Sequence, residues 1–167
     1  MSSPGSVPPP RPPALDPATV PVREGAGYPA GLGAPCEKRR KQALGDAAGL
    51  TRFGVNLVRL PPGQASALRH WHAREDEFVY VLEGELVLVT DGGEQVLRPG
   101  MAAGFPAGKA DGHHLINRGK GEAVYLEVGD RAADETVQYP DADLRLERRG
   151  TSRVFLHRDG TPYPPRA

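Results

Sequence analysis

From about Thr51 onward the chain alternates short apolar runs with turn-forming residues. Phe53-Gly-Val-Asn-Leu-Val-Arg-Leu60 reads as a strand and is broken by Pro61-Pro62-Gly63. Glu77-Phe-Val-Tyr-Val-Leu82 is the next strand and stops at Glu83-Gly84. Glu85-Leu-Val-Leu-Val89 and Glu94-Gln-Val-Leu-Arg98 form a hairpin across Thr90-Asp91-Gly92-Gly93. Pro99-Gly100 ends it, and a short strand runs from Met101 to Phe105. His113-His-Leu-Ile-Asn117 and Ala123-Val-Tyr-Leu-Glu-Val128 close the series around Arg118-Gly119-Lys120-Gly121. No amphipathic helix interrupts this stretch. Strands at such short, regular spacing predict an all-β antiparallel sandwich or barrel. Phe78 to Leu82 are apolar at every position, which predicts a strand covered on both faces, by the barrel interior on one side and a second layer or subunit on the other.

The flanks differ. Residues 1–35 are crowded with proline and carry few large apolar side chains, so composition predicts a disordered tail. The basic run Lys38-Arg39-Arg40-Lys41 then reads as a solvated start to the folded part, at 36–130 with a core at about 51–128. Residues 131–167 read as an extension packed on the barrel, with Arg153-Val-Phe-Leu-His157 as one further strand. With 21 basic and 21 acidic residues among 167, charge offers no general attraction for nucleic acid or acidic membrane. No apolar run is long enough to span a bilayer or to serve as a secretory signal, and the single cysteine, Cys36, excludes an internal disulfide framework. A cytoplasmic protein is the expectation.

The chemistry sits in two clusters that hold four of the five histidines. His70 and His72 are two residues apart and share one face of a strand, with Trp71 turned away. Glu77 has the wrong parity to join them on a straight strand, so Ala73-Arg74-Glu75-Asp76 reads as a turn that resets the phase. Glu77 then points inward with Val79 and Val81. Of His113 and His114 only one can face inward. Singly each piece is weak, because most HxH pairs and strand histidines are structural. Together, three imidazoles and a carboxylate make a natural first-row metal site.

In this arrangement the chain resembles the cupin superfamily. Gly63, His70, His72, Glu77 and Gly84 match the first cupin motif, within the typical text EFVYVLEGE. Gly100, Pro106, Gly108, His113 and Asn117 match the second, and the spacing to Asn117 selects His113 over His114. Lys109 to Gly112 make that loop two residues longer than the pattern, and Met101 replaces a common acidic residue. FPAGKADGHHLIN with the tail YPDADL and DGTPY is similar to a widespread bacterial group of single-domain cupins, a likeness that carries no substrate with it.

The resemblance implies a single jelly-roll barrel, a homodimer, and one divalent transition metal (Fe, Mn, Ni, Zn or Cu) held by His70, His72, Glu77 and His113. It also implies a metal-dependent enzyme on a small oxygen-rich molecule, of dioxygenase, lyase, decarboxylase or isomerase type, with dioxygenase first by analogy of fold. The alternative is a non-catalytic cupin that binds or senses a small ligand. No helix-turn-helix suggests direct transcriptional regulation. Arg59, Tyr80 and Tyr125 are candidates to face the pocket, each with a packing or solvent role as the plainer reading, and the acid–base residue stays unassigned. His114 and His157 are expected to serve packing.

Overall fold

The computed structural model describes residues 12–165. The chain makes a 3-10 turn at Pro17–Thr19 and strand β1 (Val22–Glu24). A second 3-10 turn, at Ala34–Cys36, leads into β2 (Arg40–Ala43) and a single helical turn α1 (Leu44–Ala47). Then come β3 (Phe53–Leu60), β4 (Trp71–His72), β5 (Glu77–Glu83), β6 (Leu86–Thr90), β7 (Gly93–Leu97), β8 (Ala102–Phe105) and β9 (His114–Ile116). Strand β10 (Ala123–Asp130), β11 (Asp134–Tyr139), β12 (Leu144–Arg149) and β13 (Ser152–Leu156) finish the fold. Every pairing is antiparallel. The sequence reading of an all-β jelly roll holds.

One wall is a six-stranded sheet in the order β1-β2-β3-β10-β5-β8. The other side is built from β13-β12-β11-β4 and β7-β6-β9, joined where His70 and His113 exchange backbone hydrogen bonds. Side-chain alternation follows the pleat. Val79 and Val81 point into the core with Val58, Leu60, Leu86 and Leu115, whereas Phe78, Tyr80 and Leu82 face out. Those three are 44 %, 38 % and 40 % exposed, so within one chain the second face of β5 lacks the cover that its apolar run predicted. No helix among the described residues is long and apolar enough to cross a membrane.

The N-terminal expectation needs correction. Residues 1–11 lie outside the described residues, but 12–35 are laid against the barrel rather than disordered. Strand β1 pairs with β2, and the Gln42 side chain donates to Pro17 O and Val20 O. Tyr28 and Cys36 are buried with Val137, Tyr139, Leu144 and Leu146 in a second apolar cluster. Composition misleads here because a few anchors suffice when the rest of the core already exists. The C-terminal extension holds two strands that the reading missed, β11 and β12, and β11 pairs directly with β4.

The motif glycines Gly63, Gly84, Gly100 and Gly108 all adopt positive φ. At Gly84 a Cβ would also lie 2.9 Å from Ala123 Cα, so β5 can pass that close to β10 only without a side chain. Asn117 closes the adjacent turn. Fully buried, it donates through Nδ2 to Leu60 O (2.6 Å) and Gly121 O (2.8 Å) and accepts from Gly119 N (2.9 Å). Asn117→Ala leaves those backbone groups unmatched and is expected to cost about 2–4 kcal/mol in urea unfolding. A loss below about 0.5 kcal/mol would show that the clamp is dispensable.

Candidate metal centre

Both walls of the barrel deliver side chains to one point. Strand β4 and the residues before it carry His70 and His72, His113 immediately precedes β9, and Glu77 opens β5 on the facing sheet. The turn at 73–76 resets the phase as expected, and it also moves the chain from one sheet to the other. Glu77 Oε2 is the hub. The Nε2 atoms of His113, His72 and His70 lie 3.3, 3.4 and 3.6 Å from it. Donor atoms of His70, Glu77 and His113 fall within 4.8 Å of one another. Glu77 thus gathers all four residues that the sequence singled out, although His72 reaches the cluster only through Glu77 and forms a second close group with Glu75 and Glu135. His114 is not gathered in, because its Nδ1 contacts Ala67 O at 3.0 Å instead.

Each imidazole is held from behind. His70 Nδ1 lies 2.9 Å from Leu68 O, a contact that puts the proton on Nδ1 and leaves the Nε2 lone pair facing the cluster. Its ring also stacks on Tyr139, with centroids 5.8 Å apart. Phe105 stacks flat on His113 at 3.6 Å. Behind His72, Nδ1 faces Glu135 and Glu75 carboxylate oxygens at 3.8 and 3.9 Å. Glu135 is buried and accepts the backbone N–H groups of Ala73, Arg74 and Thr136, which fixes its position. Glu75 pairs with Arg148.

The electrostatics follow from burial. Desolvation alone would push the Glu77 carboxyl up, but the surrounding imidazoles outweigh it and hold the group well below the usual carboxylate range. Burial lowers His113, leaving it a neutral imidazole at physiological pH. Burial also opposes the charged form of His72, but Glu77, Glu135 and Glu75 prevail and raise it. Three imidazole nitrogens and one ionised carboxylate, converging in a buried site, suit a divalent first-row cation. Among the described residues, the Nδ1 atoms of His72 and His113 are buried without a hydrogen-bond partner, as expected of rings fixed by packing and by contacts at Nε2.

The cluster opens into a cavity of about 590 Å³, which Tyr28, Arg39, Tyr125 and Glu127 also line. Arg39 was missed as part of a solvated run, yet it is only 8 % exposed. The available signal was parity, since Arg39 and Lys41 share a face of β2. Glu135 was missed because β11 was; a glutamate in alternation with Val137 and Tyr139 on an apolar face was its mark. Two other pocket candidates point elsewhere. Arg59 pairs with Glu122, 41 % exposed at its side chain, and Tyr80 faces outward.

Residues 56–129 match the cupin domain family. A crystal structure from Silicibacter pomeroyi DSS-3, described as a sugar phosphate isomerase from a cupin superfamily, is 46 % identical with a TM-score of 0.87. The match covers 90 % of this chain and 96 % of that one. A candidate sugar phosphate isomerase from Acidithiobacillus ferrooxidans ATCC 23270 is 34 % identical with a TM-score of 0.68, over 72 % of this chain and 76 % of that one. A protein from Thermotoga maritima, described as a predicted oxalate decarboxylase, is 21 % identical over 71 % of this chain and 99 % of its own; its TM-score of 0.58 expresses a shared fold alone. No curated protein matches the chain.

For a cation held at this cluster, Glu135→Gln is expected to weaken binding by about 10–100-fold in a chelator competition, because Gln keeps an acceptor for the backbone but loses the charge behind His72. Equal affinity in the variant would show that Glu135 serves the backbone only.

Proposed function

The chain belongs to the cupin superfamily, and from that premise we propose that it is a metal-dependent isomerase of small phosphorylated sugars. The observation that carries the metal part of this reading is the convergence of three imidazole nitrogens on one mostly buried carboxylate oxygen at the wall of the cavity. Two relatives that carry the isomerase name, at 46 % and 34 % identity, favour that reaction over the dioxygenase expected from fold analogy alone.

His70, His72, Glu77 and His113 would hold the cation. Once bound, a divalent cation supplies Lewis acidity, drawing electron density from a carbonyl or hydroxyl oxygen and so acidifying the adjoining C–H bond. The protein's own share is positional. Phe105 and Tyr139 keep two of the imidazoles from turning, and the Glu135 and Glu75 carboxylates face His72 Nδ1 at 3.8 and 3.9 Å, favouring positive charge on that ring. Leu115 and Val79 give the cavity an apolar wall that keeps bulk water off one side of a bound molecule. An isomerisation needs no external oxidant: a hydroxyl-bearing carbon beside a carbonyl loses its proton, the carbonyl carbon gains one, and the hydroxyl proton passes to the former carbonyl oxygen.

Two measurements decide the reading. Elemental analysis of protein purified without added metal is expected to find about one divalent transition metal per chain, and His113→Ala to lose most of it. Incubated in D2O with a panel of aldose and ketose phosphates, the metal-loaded protein is expected to place deuterium at C1 or C2 of a substrate as followed by NMR. Oxygen consumption without deuterium exchange would support the dioxygenase instead. Tight binding of a ligand with neither would support a sensor.

A further inference from the structure

The cavity contains a second polar group that the four-residue cluster does not use. It lies on the inner face of the six-stranded sheet. Lys41 on β2 pairs with Val58 on β3, which pairs with Tyr125 on β10, so Lys41 and Tyr125 lie in one transverse row. The next row toward the metal cluster holds Asn56 and Glu127, and Glu127 faces Val79 across β5, two residues from Glu77. Arg39 precedes Lys41 on the same face and reaches toward Glu127, with Nη1 4.0 Å from Oε2.

The charges here do not balance. Glu127 accepts from Asn56 Nδ2 at 3.0 Å and from Lys41 Nζ at 3.4 Å, and it is the one carboxylate paired with both Arg39 and Lys41. Two cations meet one anion, and the group is mostly buried. The Arg39 side chain is 9 % exposed; Nη1 donates to Ser66 O, while Nε is buried with no hydrogen-bond partner among the described residues. Tyr125, 1 % exposed, lines the same cavity; its hydroxyl is buried next to the Ser66 side chain and makes no well-formed hydrogen bond among the described residues. A buried guanidinium with unmade bonds costs stability unless an acceptor arrives, and so does a buried hydroxyl. Both needs are met by one molecule: an oxyanion.

We propose that Arg39, Lys41 and Tyr125 form an anion subsite that holds the phosphate or carboxylate arm of the substrate while its other end lies at the metal cluster. Tyr125 pairs with Val81, four residues along β5 from Glu77, so strand spacing puts the Tyr125 and Glu77 Cα atoms about 14 Å apart, and their inward-pointing side chains leave room between them for a short polyol chain carrying an acidic group at one end. The guanidinium supplies directional donors that match oxyanion geometry, and Lys41 adds a second positive charge beside Glu127. This inference rests on the reading of the cavity as a substrate site. It adds a cause for selectivity: only a molecule with an anionic end would satisfy both groups at once.

The test is calorimetric titration of the full-length protein, as purified without added metal, with inorganic phosphate and, separately, with acetate. The wild type is expected to bind at least one of them, phosphate binding pointing to a phosphoryl arm and acetate binding to a carboxylate. Arg39→Met is expected to weaken that binding by about tenfold or more. Tyr125→Phe removes a hydroxyl that makes no well-formed hydrogen bond among the described residues, so it is expected to keep a near-wild-type melting temperature and to lose about three- to tenfold in affinity. This second variant keeps the proposal testable if Arg39→Met does not fold. Failure of the wild type to bind either anion, or equal binding by wild type and Tyr125→Phe, would overturn the subsite. Metal content measured on the same samples separates the two claims. Protein that holds metal but ignores Tyr125 and Arg39 contradicts the subsite alone, whereas Arg39-dependent anion binding in a protein that retains no metal contradicts the metal-enzyme reading alone.

Discussion

A buried carboxylate facing three imidazoles is the constraint on which this structure turns. Glu77 sits on one sheet and the three histidines on the other, so their 3.3–3.6 Å separations set how closely the two walls must approach. Removing an ionised carboxylate from water is costly without compensation, and here the imidazoles provide it from the opposite wall. The local features around it follow from holding that approach. The turn at 73–76 carries the chain between sheets, Phe105 and Tyr139 brace two rings, and Glu135 stands behind the third.

The bracing extends beyond the segment that matches the cupin domain. Strand β11 lies outside residues 56–129, yet it pairs with β4, supplies Glu135 and places Tyr139 against His70. Tyr28, from the N-terminal segment, meets Tyr139 edge-on at 5.6 Å and donates nothing to the cluster directly, but its hydroxyl accepts from Leu68 N next to the His70 contact. Both chain ends therefore converge on the same side of the site. The core domain carries the donor atoms, while the flanks fix their orientation.

Much of this was legible in the sequence because the informative signals are local. A two-residue spacing sets a shared face for His70 and His72, and a polar four-residue turn reverses the parity before Glu77. Parity along 77–81 also put Val79 and Val81 inward with Glu77, whereas Tyr80, read as a pocket candidate, faces outward. What escaped depended on partners distant in the chain. Residues 12–35 read as disordered because an anchor such as Tyr28 acquires value only against distant partners, Val137 and Leu144. Arg39 read as solvated because a run of four basic residues hides its alternation. Glu135 was invisible until β11 was placed beside β4. Charged residues with buried heads are the hardest to locate from composition, since their surroundings rather than their own polarity decide where they lie.

Whether His70, His72, Glu77 and His113 share one cation is tested most directly by X-ray absorption at the metal edge of the cobalt-loaded protein. The predicted spectrum shows only nitrogen and oxygen scatterers in the inner coordination sphere, with outer-shell multiple scattering that fits about three imidazoles. Loss of one imidazole contribution in His72→Ala would complete the pattern. A spectrum with no imidazole scattering, or one indifferent to substitution at His70, His72 and His113, would contradict it.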